Sequence, residues 1–148
     1  MGGSTTQERT IDLIRLEGHG NSVVLRLTGR ERGRERTASD ALTGEFLVDT
    51  PFVRGSCGVW VFPEDLRRWQ EALDALDAGQ DIAWREGGRG PELFIDRDED
   101  DERVHATVKD ASASLTAVTV TVPLDDAWFD DAYDRLDLTW RTWPLTDG

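Results

Sequence analysis

Two spacings of apolar residues alternate along this chain, one of period two and one near 3.6, and they mark strands and helices respectively. Between Ile11 and Leu16 apolar residues are interrupted only by Asp12 and Arg15. After a turn at Gly18-His19-Gly20-Asn21, Val23, Leu25 and Leu27 alternate with Val24, Arg26 and Thr28. This pattern predicts a β-hairpin. RERGRER at 30–36 is too charged to bury and reads as an exposed loop. A third strand follows around Leu42 to Val48, with Leu42, Phe46 and Val48 on one parity, and a fourth runs from Val53 to Phe62.

At Pro63 the period changes. Proline at a first helical position loses no needed N–H, and Glu64 and Asp65 complement the positive end of a helix dipole. Leu66, Trp69, Leu73 and Leu76 form one stripe, Arg67, Glu71 and Asp74 fall opposite, and Gly79 is placed to end the helix. A meander is predicted next: Ile82 and Trp84, the turn at 87–91, Leu93 and Ile95, an acidic turn, Val104 to Val108, then a strand from Leu115 to Val122. The last element is a helix from Asp126 to Trp143. Trp128, Phe129, Ala132, Tyr133, Leu136, Trp140 and Trp143 lie on one side, Asp130, Asp131, Asp134, Asp137 and Arg141 on the other, and Leu138 is the one stray apolar residue. Pro144 stops it. The order is ββββ-α-ββββ-α, with no βαβ alternation. An α+β fold of seven to eight antiparallel strands in a twisted sheet or sheets, carrying two amphipathic helices, is expected for residues 10–148. Residues 1–9, polar and small, read as a disordered tail or an expression remnant.

Composition narrows the function. At 148 residues, the chain has the size of a single domain. No apolar run approaches the roughly 20 residues a membrane helix needs, and a cytoplasmic location is expected. Cys57 is the only cysteine, so no disulfide can form within the chain, and one thiol with two histidines does not make a Cys/His zinc site. The net charge of −13 opposes nucleic-acid binding, which rests on cations neutralising phosphates. That charge is unevenly placed: residues 1–62 carry eight acids and eight bases, residues 63–148 carry 22 acids and nine bases.

Candidate chemistry is sparse. The run from Asp96 to Glu102 starts like a calcium loop, but Asp101 stands where the loop needs glycine and Thr107 where it needs a bidentate glutamate, so it reads as a solvated hairpin turn. His19 and His105 have no acid or nucleophile at a motif spacing. Cys57, between Ser56 and Gly58 in a strand, reads as a small buried residue. Gly87-Gly88-Arg89-Gly90-Pro91 opens a strand rather than a helix and so lacks a phosphate cradle. No catalytic, cofactor or metal residue is assigned. Trp69, Trp128, Trp140 and Trp143 fall on buried stripes, while Trp60 and Trp84 are freer to line a pocket.

The segments VWVFPEDLRRWQEALDAL (59–76), DIAW (81–84) and GRGPEL (88–93), with a closing Trp-Pro, resemble an uncharacterised domain family of Actinobacteria, especially streptomycetes, over residues 10–144. That family carries no assigned activity, so the resemblance implies a fold and no site. Strands leading into Pro-acid-x-Leu-x-x-Trp are also similar to small immunity proteins of the WapI type; Trp69 fits that pattern, and the rest of it is not evident here. Packed on one face of the sheet, the two helices would put Glu71, Asp74, Asp77, Asp130, Asp134 and Asp137 on one surface, a field able to steer a basic partner. The leading expectation is therefore a non-enzymatic protein-binding module of immunity type that engages a basic protein. The alternatives are a small-ligand binder or enzyme with a pocket near Trp60, Trp84 and His105, and a self-associating structural subunit.

Overall fold

The computed structural model describes residues 10–31, 40–88, 90–99 and 102–145. The tail at 1–9 and most of the charged loop, at 32–39, lie outside the described residues, as does part of the acidic turn. Eight strands and two helices follow one another as expected: β1 (Ile11–Gly18), β2 (Asn21–Glu31), β3 (Ala41–Asp49), β4 (Arg54–Val61), α1 (Pro63–Asp77), β5 (Ile82–Trp84), β6 (Pro91–Arg97), β7 (Arg103–Asp110), β8 (Ala117–Pro123) and α2 (Asp126–Thr142). The strands form two antiparallel meanders, β1-β2-β3-β4 and β5-β6-β7-β8. Within each meander every strand therefore pairs with its neighbour in sequence, which is the arrangement short turns allow.

The inner faces of both sheets and the apolar stripes of both helices share one core. Leu25, Phe46 and Val59 point into it from the first sheet, and Leu93, Ala106, Val120 and Val122 from the second. Trp84 is its centrepiece, 1% exposed, edge-on to Phe46 at 6.5 Å and tilted against Trp69 at 5.2 Å. Parity in β1 changes midway because the register shifts between Asp12 and Ile14, and that bulge lets Leu13 and Ile14, adjacent in sequence, both be buried. The last strand begins later than expected. Leu115 has φ 59° and is 70% exposed in the turn before β8, so an apolar side chain there does not extend the strand inward.

The helices cap as their sequences dictate. Asp65, the third residue of α1, accepts the Phe62 N–H at 2.9 Å, the acid's half of a capping box, and Gly79 with φ 92° takes the left-handed position after the last turn. Asp125 accepts the Trp128 N–H at 3.0 Å to begin α2. No described helix is long and apolar enough to cross a membrane.

Each helix packs mainly on the sheet of the other half, α1 on β5 and α2 on β1, and the two helices touch each other. Trp128 Nε1 donates to the Arg15 carbonyl at 2.7 Å and Arg135 to the Asp12 carbonyl at 3.1 Å, which fastens α2 to β1. On the far side of the junction, Gly18 (φ 152°) lies so close to Pro123 that a Cβ would stand 2.4 Å from the ring, and Asn21 donates to the Thr121 carbonyl at 3.0 Å. Only glycine lets the first hairpin meet the end of β8 there.

Asp12 anchors the outer side of β1. Burial acts to raise its pKa, but hydrogen bonds and charge from Arg26 (2.8 Å) and Arg15 (2.7 Å) outweigh burial and hold the carboxyl below its ordinary value. A depressed carboxylate pKa stabilises the fold above the unfolded-state value of about 3.9 and ceases to do so as pH falls through the folded value. Asp12→Asn should cost about 1 kcal/mol at neutral pH and flatten the loss of stability below about pH 4, measured by urea unfolding at stepped pH.

Candidate functional site

Because α1 turns Leu66, Trp69, Leu73 and Leu76 into the core, helical spacing turns Glu71, Asp74 and Asp77 outward, and all three are exposed. On α2 the same reasoning exposes Asp130, Asp134 and Asp137. The helices are neighbours, joined by a hydrogen bond from the Tyr133 hydroxyl to Asp74 Oδ1 at 2.6 Å. This brings carboxylates from two segments, more than fifty residues apart in sequence, to the same junction.

Few of these charges are neutralised locally. Asp137 pairs with Arg141 at 3.0 Å, while Arg67 and Arg68 pair with Glu64 and Arg135 pairs with Asp131 at 2.6 Å. Glu71, Asp74, Asp77, Asp130 and Asp134 have no cationic partner among the described residues. Tyr133 registers the resulting field. Burial first, then the Asp74 hydrogen bond and the negative charges of Asp74 and Asp77, push the phenol above its ordinary value. Tyr133 is the only tyrosine, so phenolate absorbance reports this junction alone. It should titrate well above pH ~10 in the folded protein and return toward ~10 in Asp74→Asn. A raised pKa also means that the unfolded chain ionises first, so stability should fall as pH climbs beyond about 10.

A second concavity opens where the sheets part. β3 and β4 supply Phe46, Val48 and Cys57, β7 and β8 supply Val108 and Val118, and the cleft measures about 290 Å³. This lies at the lower limit of small-molecule pockets, which run from about 300 to 1,000 Å³. Its one carboxylate is already engaged. Asp110 accepts the Ala113 N–H at 3.3 Å, and the Ser114 N–H and hydroxyl at 3.0 and 2.8 Å, closing the β7–β8 turn. The Cys57 thiol is pushed up by burial and then by the nearby Asp110, which keeps it protonated and poorly nucleophilic.

Trp60, Trp84 and His105, the lining of the alternative pocket, are not brought together, although Trp60 lines a concavity of about 480 Å³ with Phe62, Pro91 and Ala113. Trp84 is buried in the core, with Nε1 donating to the Asp65 carbonyl at 2.9 Å. Trp60 is 49% exposed on the outer face of β4, and His105 lies on the outer face of β7 against Thr121 at 2.9 Å and Asp98 at 3.3 Å. The strand parities put Trp60 and His105 on opposite outsides of the two sheets. Trp69 fills the core as expected, whereas Trp128, Trp140 and Trp143 are only half-buried at its margin.

Sequence reasoning missed the cleft because its lining comes from four strands whose mutual placement is a tertiary fact. It also placed Tyr133 on the apolar stripe without using the hydroxyl. The signal was present: a lone tyrosine on the edge of a stripe, one residue before Asp134, has an apolar body and a polar tip that seeks a partner.

Neither a curated protein nor a solved structure matches this chain. A family model matches residues 11–144, which take in all eight strands and both helices, and the chain therefore belongs to DUF5959, a family of unknown function.

Proposed function

We propose that this protein is a non-enzymatic binding module whose two-helix acidic face engages a basic protein partner. One observation carries the reading: five carboxylates, Glu71, Asp74, Asp77, Asp130 and Asp134, stand exposed on adjoining helices without a cationic partner among the described residues. Such an array creates a field that accelerates encounter with an oppositely charged surface and penalises acidic competitors. A basic toxin domain, neutralised in the cytoplasm by an immunity protein, is one partner of that chemistry. An enzyme reading has less support, since the inter-sheet cleft offers a raised-pKa thiol and a carboxylate already committed to its own turn.

Affinity capture from the producing cells tests this with two baits, the native chain and a variant carrying E71Q, D74N, D77N, D130N and D134N. The native bait should retain a basic protein that elutes as ionic strength rises and that the amide variant, folded to the same helical content, does not hold. Retention of the same proteins by both baits, insensitive to salt, would sink the proposal.

A further inference from the structure

We infer that two copies of this chain associate by antiparallel pairing of their β4 edges about a two-fold axis at Ser56, joining the first sheets into one continuous eight-stranded sheet. β4 is the last strand of its sheet, and no strand pairs with its outer side, which borders clefts shared with the turn between β7 and β8. Which backbone groups face that side follows from two contacts. The Thr43 carbonyl accepts the Thr28 hydroxyl on the β2 side, and the Trp60 carbonyl, opposite Thr43 in the register, accepts Arg85 Nη1 at 3.0 Å on the other. Thr43 and Trp60 are therefore a non-hydrogen-bonded pair, and Trp60 turns its N–H and C=O away from β3. The β3–β4 register is unbroken, so Arg54, Ser56 and Gly58 do the same, and no hydrogen bond among the described residues fills their outward groups.

These three residues are centred on Ser56. Pairing about that residue sets Ser56 against its own counterpart and Arg54 against Gly58 of the second copy, which uses the outward groups of all three residues on both edges. The side chains agree with this register. Gly58 sits beside Glu45, which itself lies beside Arg26, on the outer face. A Cβ at Gly58 would meet nothing nearer than the Gly44 carbonyl at 4.0 Å, and one at Gly55 would meet nothing within that range, so folding of the single chain does not call for glycine at either place. Glycine inside a strand weakens it and marks a place where another backbone or ligand comes close. With Gly58 bare, Arg54 of the second copy lies over it and reaches Glu45, completing a row of alternating charge from Arg26 through Glu45 to Arg54 and its own neighbour Asp49.

Charge selects the occupant. Two copies at −13 each repel, but β4 belongs to residues 1–62, whose eight acids and eight bases balance. Asp110 borders the inner side of this edge, while on the outer face a second copy meets the balanced row of Arg26, Glu45, Arg54 and Asp49. An edge this long, with small residues in its middle and neither proline nor lysine to guard it, is also the kind that pairs.

Light scattering of the intact chain after size exclusion, across a dilution series, should give twice the single-chain mass. S56P removes an N–H that only the second copy uses, so it should give the single-chain mass with an unchanged circular dichroism spectrum. Cysteine crosslinking fixes the register. In a C57A background, S56C should form a disulfide-linked dimer on mild oxidation, because hydrogen-bonded partners have Cα atoms about 5.5 Å apart, whereas G58C, offset from its own counterpart by four residues, about 13 Å, should not. The inference is overturned by a single-chain mass at every concentration, by a dimer that S56P leaves intact, or by equal crosslinking at the two positions.

Discussion

Trp84→Ala should be among the most damaging single substitutions in this protein, costing about 3–5 kcal/mol and lowering Tm by roughly 10 °C. The residue is 1% exposed and ties β5, in the second half of the chain, to the first: Phe46 on β3 and Trp69 on α1 meet its ring, and its indole N–H satisfies the Asp65 carbonyl in the first turn of α1. Alanine would leave a cavity where the sheets and α1 converge, and these neighbours come from two separate elements that cannot close it together. Urea unfolding followed by tryptophan fluorescence and by circular dichroism measures the loss. A cost below about 1 kcal/mol would show that the core repacks around the gap.

Asp65→Ala is expected to cost a similar amount, about 3–5 kcal/mol, by a different route. Asp65 is paired with Arg85 at 2.8 Å, and the Arg85 side chain is 6% exposed. The guanidinium also donates to the Trp60 carbonyl and the Pro91 carbonyl, both at 3.0 Å, so it ties the end of β4 to the start of β6. Removing the carboxylate leaves a buried cation short of its counter-charge and deprives the Phe62 N–H of its cap. The double change Asp65→Leu with Arg85→Met should cost less than the sum of the single changes, since neither charge is then left alone. Equal and additive costs in a double-mutant cycle would show that the pair is not coupled.

Much of the fold was legible because its local rules are consistent. Pro63-Glu64-Asp65 and Gly79 bracket α1 within a residue or so, and Val118, Val120 and Val122 place β8, since each position obeys a backbone or parity rule that needs no knowledge of the remaining chain. The division into two sheets was not legible. Period-two spacing says that a residue faces inward but not which sheet lies across from it, so Trp84 passed for a residue free to line a pocket when it is the centre of the core. Leu115 illustrates the opposite error: an apolar residue beside a strand, read as its first member, is held outside by a left-handed backbone. For the acidic face, the helical wheel gave the outward direction of each carboxylate, but adjacency of the helices came only with packing, and the hydroxyl of Tyr133 is the contact that joins them.

The exchange of helices between halves bears on how the chain is made. Each half is a four-stranded meander followed by a helix, yet α1 rests mainly on β5 and α2 on β1. A nascent chain that has emerged through Asp77 thus has its first sheet and its first helix, but not the surfaces that cover them. The face of β1 that α2 covers remains wet until the ribosome has added more than sixty further residues, through Thr142. Synthesis of this protein therefore passes through a long interval in which an apolar sheet is exposed, its ordering waits on the last helix to appear, and a holdase that shields that sheet has the most to contribute.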